Sequence, residues 1–519
     1  MRKGFKTVSL CLVLVFVVLG LYYPVFWWLL LLIGLPILIG LYDMLQSKNN
    51  VMRNFPLFGH FKEFITEERH VIQQAAIENS REGRPFNWIQ RRIAYSRASE
   101  ELMSQPYGSE FDHRKRGHEW LMHSNNPVDQ IEGDLRFVVG GPQCSHPYSS
   151  SILNISAMSY GSLGPNAVRA LNAGAHLGGF AHNTGEGGLT DYHRSFEGDL
   201  IWQIGTAYFG CRNDDGSFDP EAFRDKAREE QVKMIELKIS QGAKPGMGGL
   251  LPAGKNTEEI ARFRNIEPHK DVFSPPAHPE FSGDNEMLKF IQKLRELSGG
   301  KPVGFKLCLG KPKEFIDICE AILETRIMPD FITIDSSEGG TGAANYDFIH
   351  WAGMHVFDSL PFAYDTLTGF GFKKDIRLLA SGKVLSSFDV VRMLALGADG
   401  CYSARAMMLS LGCVQALKCN TNKCPTGVTT LNPSLNKGLV VEDKKVKVAN
   451  FHKHTIEGVK ELIAAAGYKD LTAINRSLIC RRQNDLSFKT LQDIYPYVVE
   501  GVLLNKPWPE SYRSFEDKN

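Results

Sequence analysis

The stretch FITIDSSEGGTG, residues 331–342, decides the fold. Phe331–Ser337 is a candidate strand in which four β-branched or apolar residues, FITI, run into Asp335, two serines and a glycine cluster. A continuous apolar run of that length, bounded by turn residues, predicts a strand buried on both faces, as in a parallel sheet. Polar and glycine-rich residues at its C-terminal end predict a functional loop. Outward in both directions the same grammar returns. Candidate strands are Ile152–Met158, Met234–Ser240, Pro302–Cys308 and Ile376–Ser381, and nearly every one ends in such a cluster: SYGS (159–162), QGAKPGMGG (241–249) and SGK (381–383). Between them lie amphipathic candidates for helices, Pro165–Leu177, Asn285–Leu297, Pro312–Glu324 and Ser386–Leu396. Strand–helix alternation with loops gathered at strand C-termini predicts an α/β protein built on a (β/α)8 barrel, with a doubly wound open sheet as the alternative. No G-x-G-x-x-G opens a helix after a strand, so a Rossmann site has little support.

The chain has 519 residues, room for about three domains or one large barrel with extensions. Its 59 Lys and Arg against 58 Asp and Glu leave a net charge of +1, with no global field for nucleic acid. From Thr7 to Tyr42 no residue is charged. One helix of that length would overshoot the ~30 Å hydrocarbon core, and Pro24 divides the run into spans of about 7–23 and 25–42. Tyr22, Tyr23, Trp27 and Trp28 sit at the division, as interface aromatics do. Arg2, Lys3 and Lys6 precede the run and Lys48, Arg53 and Lys62 follow it. The positive-inside rule then puts both ends in the cytoplasm and gives a transmembrane hairpin over 1–48. A signal peptide is the competing reading, but no small-residue cleavage pattern follows the first apolar stretch. One span with an interfacial helix is the other. Residues 49–150 are expected to form a mostly helical extension packing on the barrel, 151–435 the barrel, and 436–519 a C-terminal helical extension.

Ten cysteines are too few for a disulfide scaffold, yet three fall within twelve residues, Cys413-x5-Cys419-x4-Cys424-Pro425. Thiolates at short spacing on an irregular loop, with proline after the last, suit an iron–sulfur cluster, and the lack of a fourth favours three irons. Zinc on three cysteines and a histidine stays open, with His452 the next histidine along the chain. The remaining cysteines read as small buried hydrophobes. Ser381, Gly382 and Lys383, with Cys401–Arg405, are the last two strand ends, where barrels often hold phosphate. Lys306 points into the mouth or into an ion pair. At a flavin it would stabilise the anionic reduced ring.

From about residue 150 to 435 the chain resembles the FMN-binding synthase domain of glutamate synthase. The resemblance rests on ISAMSYGS (155–162), HNTGEGG (182–188), QGAKPG (241–246), SPPAH (274–278), GFKL (304–307), EGGTGA (338–343) and the cysteine motif with PTGV (413–428). NFPLFGHF (54–61) is similar to a shorter, stand-alone branch with glutamate synthase large-subunit-like members. The family implies a (β/α)8 barrel with FMN and a [3Fe-4S] cluster, reducing 2-iminoglutarate. By motif, Met158, Ser159, Gln241, Lys306, Gly340 and Thr341 would line the flavin. Ser381, Gly382, Lys383, Ala404 and Arg405 would hold its phosphate. Glu186, Lys244 and Lys306 would carry the chemistry, and Cys413, Cys419 and Cys424 the cluster. The family's glutaminase domain and its activated N-terminal cysteine have no counterpart here, so nitrogen is expected as ammonia, a preformed imine, or from a separate subunit. The electron donor is unidentified. Where the family reads EGGQ, this chain has Met247, two glycines and Leu250, which puts glutamate itself in doubt as product.

Overall fold

The computed structural model describes residues 2–101, 104–243, 248–340 and 344–516. They fall into two compact units, Met1–Trp88 and Ile89–Asn519.

The first unit opens with helices α1 (Arg2–Tyr22) and α2 (Val25–Leu45), joined at Tyr23 and Pro24. Proline lacks the backbone donor and disfavours helix in the residue before it, so the uncharged run breaks there. The two helices pack closely. A Cβ on Gly20 would come within 2.9 Å of the Trp27 ring, and one on Gly40 would strike Phe5. Small residues at the contact are how apolar helices approach each other without a hydrophobic drive. Both are apolar over lengths that can cross a membrane, and 6% of the most apolar window of each is buried. A soluble core helix would be mostly covered. At the end of α2 the buried Asp43 accepts the Leu57 amide at 3.0 Å and faces His60 Nε2 at 2.9 Å. Helix α3 (Phe58–Glu67) follows.

The second unit is a closed barrel of eight parallel strands: β1 (Leu153–Ile155), β2 (His182–Asn183), β3 (Leu200–Ile204), β4 (Val232–Lys238), β5 (Val303–Leu307), β6 (Phe331–Asp335), β7 (Arg377–Ser381) and β8 (Gly400–Ser403). Each pairs with the next, and β8 returns to β1, which removes the open-sheet alternative. Among the helices between them are α4 (Pro165–Gly178), α5 (Glu258–Arg264), α6 (Asp284–Leu297), α7 (Pro312–Thr325), α8 (Val356–Gly369) and α9 (Ser387–Leu396). α9 begins with a capping box, Ser386 and Asp389 each bonding the other's backbone amide.

Residues 99–150 hold no helix among the described residues. Rich in glycine, proline and charge, they form irregular chain and strands, so the extension is helical only in its first half. One strand, Glu119–Leu121, pairs with Ile479–Arg482 from the C-terminal segment. That segment also supplies the long helix α10 (Val441–Ala465), seated against α4. A hairpin, Arg136–Val139 with Tyr148–Ser151, brings Val139 and Tyr148 against Ile201, Met234, Phe331 and Leu379 near the N-terminal ends of the strands. This apolar plug closes the bottom of the barrel and leaves the C-terminal face for chemistry.

Candidate active site at the barrel mouth

Inside the barrel, above the plug, lies one fully buried carboxylate. Glu236 accepts from Asn183 at 2.8 Å and Gln203 at 2.6 Å through one oxygen, and from Thr333 at 2.7 Å through the other. Three donors make a buried charge tolerable without a cation. Two residues on, strand alternation places Lys238 on the same interior side at the mouth. Lys238 is register partner of Lys306 on β5. Two adjacent buried ammonium groups would repel, and each is held by its own carboxylate. Lys238 Nζ lies 2.8 Å from Glu186, and Lys306 Nζ 3.5 Å from Asp335, the latter pair almost wholly buried. Both alternatives for Lys306 hold together: it stands at the mouth and in an ion pair.

Glu186 is fixed by backbone. A Cβ on Gly205 or Gly249 would come within 2.9 Å of its side chain, so the carboxylate sits between two bare glycines. Gly185 just before it has φ +67, and a Cβ there would meet the backbone of Met158 and Ser159. The HNTGEGG loop therefore lies directly on the SYGS loop, as glycine alone permits. Arg264, at the end of α5, is buried beside them and donates to the Tyr160 carbonyl at 2.9 Å. Burial pulls its guanidinium down to about 10, against the opposing pull of Glu186 and Tyr160. The imidazole of His278 bonds the Lys238 carbonyl at 2.9 Å, and burial lowers it to about 4.

At the ends of β7 and β8 stand Ser381, Gly382, Lys383, Ala404 and Arg405. Lys383 Nζ pairs with Glu338 at 2.8 Å. Burial pushes the Glu338 carboxyl up, but Lys383, His355 and Arg405 together hold it below its ordinary value. Its second oxygen is buried without a hydrogen-bond partner. A Cβ on Gly382 would press on Ser336 and Val356 at 2.8 and 3.0 Å. Two cations against one carboxylate, on loops this close, fit a phosphate, and Lys306 with the buried Gln241 fits the polar edge of a flavin ring. Lys306 and Ser381 lie at the C-terminal ends of β5 and β7, and Met158, Ser159, Glu186, Gln241, Gly340, Gly382, Lys383, Ala404 and Arg405 follow barrel strands at the same end. Lys244 and Thr341, with Met247, lie outside the described residues.

The loop with Cys413, Cys419 and Cys424 follows the short helix Arg405–Ser410 after β8. None of the three is in a disulfide. The Cys413 thiol is pushed up to about 12, chiefly by burial, with the Gln415 amide opposing the rise and Cys419 and Cys424 adding to it, so Cys413 feels the other two sulfurs. Burial also opposes ionisation of Cys424, but hydrogen bonds from Thr426 and Thr429 carry its thiol below the ordinary value. Among the described residues no group of three or more His, Cys, Asp or Glu could hold a metal ion. Three mutually coupled reduced thiols are nevertheless a soft donor set of the kind a cluster needs. His452 is engaged elsewhere, bonded to Ser151 Oγ at 2.9 Å and the Leu153 carbonyl at 3.1 Å and stacked on Phe180, which removes the zinc alternative that used it. Buried Lys255 donates to the Cys419 carbonyl at 3.0 Å, and burial lowers it to about 8 while the thiols of Cys419 and Cys424 oppose that shift. A cavity of about 310 Å³ lined by Lys255, Asn420, Asn422 and Asn432 adjoins this loop.

Lys238, Arg264 and Lys255 were not singled out from sequence, and Asp335 only as a strand end. For Lys238 a signal existed: a lysine inside an apolar strand, three residues before QGAKPG. Arg264 had none, since only the folding of the long β4–α6 connection carries it to the mouth.

The conserved region in glutamate synthase matches residues 132–469. The chain is 36% identical over 492 residues to the glutamate synthase large subunit-like protein YerD of Bacillus subtilis, covering 87% of this chain and 93% of that protein. It is 32% identical over 327 residues to the archaeal-type glutamate synthase [NADPH] of Thermotoga maritima, covering 62% of this chain and 61% of that enzyme. Among solved structures, flavocytochrome b2 with pyruvate bound aligns over 90% of this chain and 94% of that one, at 14% identity and a TM-score of 0.42.

Proposed function

The chain belongs to the glutamate synthase family, and on that premise we propose that it is an FMN-dependent oxidoreductase acting on CH–NH2 donors. In this reading it interconverts a 2-imino acid and the matching amino acid. Cys413, Cys419 and Cys424 would hold a [3Fe-4S] cluster. Bound FMN would supply hydride chemistry, and the cluster would supply single electrons to it.

One observation carries the reading: the alternation of charge at the mouth, Glu186–Lys238–Lys306–Asp335, with the last three on the adjoining strands β4, β5 and β6 and Glu186 reaching Lys238 from the loop after β2. Lys306 would hold negative charge on a flavin ring, with Asp335 fixing its position. Lys383 and Arg405 would take the phosphate. Arg264 and Lys238 would bind carboxylate of the substrate, and Lys244, by motif, would add a third cation. Glu186, confined between Gly205 and Gly249, would orient the imine nitrogen and hold its proton. Leu250, paired with Phe273, stands where an amide is expected, which favours a less polar side chain than that of glutamate.

Nitrogen would arrive as ammonia or a preformed imine, or from a separate ammonia-supplying subunit. The apolar hairpin would anchor the protein in the cytoplasmic membrane with the barrel in the cytoplasm. It also favours a second reading, an electron-transfer flavoprotein served by a membrane donor and acting on another substrate. Anaerobic purification, acid release of the flavin, and a survey of amino and keto acids against its absorbance decide between them. Bleaching by an amino acid is the expected result. A flavin that responds to a quinol and to no amino or keto acid supports the second reading.

A further inference from the structure

We infer that α3 lies in the membrane–water interface, with Phe58, Phe61, Phe64 and Ile65 turned into the lipid. This rests on the hairpin reading and adds a surface that the hairpin does not include. At 100° per residue the four side chains fall within an arc of about 120°, while Lys62, Glu63, Thr66, Glu67 and His60 occupy the rest. All four are exposed: Phe58 70%, Phe61 67%, Phe64 59% and Ile65 39%. Three aromatic rings and an isoleucine in one stripe form the kind of apolar patch that marks an interaction site.

The position of α3 within its unit says what covers that stripe. Asp43, at the cytoplasmic end of α2, accepts the Leu57 amide and faces His60. The Asn49 side chain accepts the amides of Val51 and Met52 and donates to Glu63 at 3.0 Å. These bonds pin the start of α3 beside the point where α2 leaves the apolar run. A helix tied at that level, with one aromatic face and one polar face, matches the geometry of a helix lying in the headgroup–acyl boundary, its apolar side sunk about 5–10 Å. The polar face carries Glu63 and Glu67 against Lys62, so apolar burial, not attraction to anionic lipid, supplies the affinity.

The test uses the full chain in phosphatidylcholine vesicles, with p-benzoylphenylalanine placed singly at Phe61, Ile65, Thr66 and, in α2, Leu31. Irradiation is expected to give lipid adducts at 31, 61 and 65 and to lose them at 66, with no gain when phosphatidylglycerol is added. Adducts at 61 and 65 with a second copy of the chain, or with residues 89–519, overturn the inference. So does an absence of lipid adducts there while Leu31 is labelled. If Leu31 also fails to label lipid, the hairpin reading itself has failed, and the inference with it.

Discussion

Lys238 and Lys306 are register partners on neighbouring barrel strands, and different carboxylates, Glu186 and Asp335, hold them apart in charge. The two lysines are therefore separable by mutation. Lys238→Met should leave flavin content unchanged and weaken keto-acid binding by about 2 kcal/mol, roughly thirtyfold in KM, through loss of a charge-assisted contact. Glu186→Gln keeps the shape of the side chain between Gly205 and Gly249 but removes its charge. It should lower kcat by about 10²–10³ with little change in KM. Steady-state assays under anaerobic conditions separate the two. An equal effect of both variants on KM alone would count against a proton-handling role for Glu186.

At the phosphate end, Lys383→Ala should weaken FMN binding by about tenfold to a hundredfold, a charge-assisted contact being worth roughly 1.5–3 kcal/mol. Fluorescence titration of the stripped protein with FMN reads this directly. Glu338→Gln removes the carboxylate that competes for the same cation and should tighten FMN binding. A change in the same direction for both variants would remove Lys383 from the phosphate site.

How far the site could be read beforehand depends on where its information lies. The loops at 155–162, 182–188 and 381–383 are runs of sequence whose glycine content already states that backbone must come close, and the barrel brings them together as expected. β1, β4, β5, β6 and β7 were visible because buried parallel strands are continuous apolar runs, whereas β3 was not proposed. β2 was not proposed as a strand, for His182–Asn183 is two residues long and both are polar. Asn183 lies inside the barrel on Glu236, and a polar interior cannot be told from a surface by composition. Arg264 escaped for a different reason: its place depends on a connection of some forty residues whose path no periodicity records. The cysteine loop was legible as spacing, but the exclusion of His452 needed the packing of α10 on the barrel.

Acid should destabilise the fold through its buried imidazoles. Burial lowers His182 and His452 to about 3 and His278 to about 4, from an ordinary 6.5. A folded-state value below the unfolded one means that the unfolded chain binds more protons as pH falls. The stabilising contribution is present in full above about pH 6.5 and is lost progressively toward pH 4 and below. Between about pH 6.5 and 5 each ring accounts for up to roughly 2 kcal/mol. Denaturant unfolding at a series of pH values should show this slope, and His452→Gln should reduce it by one ring's share of the imidazole contribution. A flat profile above pH 5 contradicts the burial of these rings.

In the proposed hairpin, the basic residues on both flanks would put residues 1–6 and the chain after Asp43 on one side of the membrane. A phosphatase reporter, active only outside the cytoplasm, should be silent when fused after Lys48 and active when placed between Tyr23 and Pro24. Activity after Lys48 would mean one span or a processed leader.

The cysteine loop offers a separation of the two cofactor sites. Cys419→Ser removes one of three coupled thiols and should lower cluster occupancy to below about a tenth, since even outer-shell changes cost 10–100-fold in metal affinity. FMN should stay bound, because its proposed contacts arise from the ends of β1, β4, β5, β6, β7 and β8, whereas Cys419 lies on the loop beyond the helix Arg405–Ser410. Reduction of FMN by one-electron donors should slow while its reduction by an amino acid persists. Lys255→Met leaves all three thiols but deletes the ammonium beside them, which donates to the Cys419 carbonyl. Loss of a nearby positive charge disfavours the reduced cluster, so its potential should fall while occupancy is kept. Iron content, electron paramagnetic resonance and a redox titration distinguish the two variants. A full cluster signal in Cys419→Ser would remove this cysteine from the ligand set, and with it the three-iron assignment.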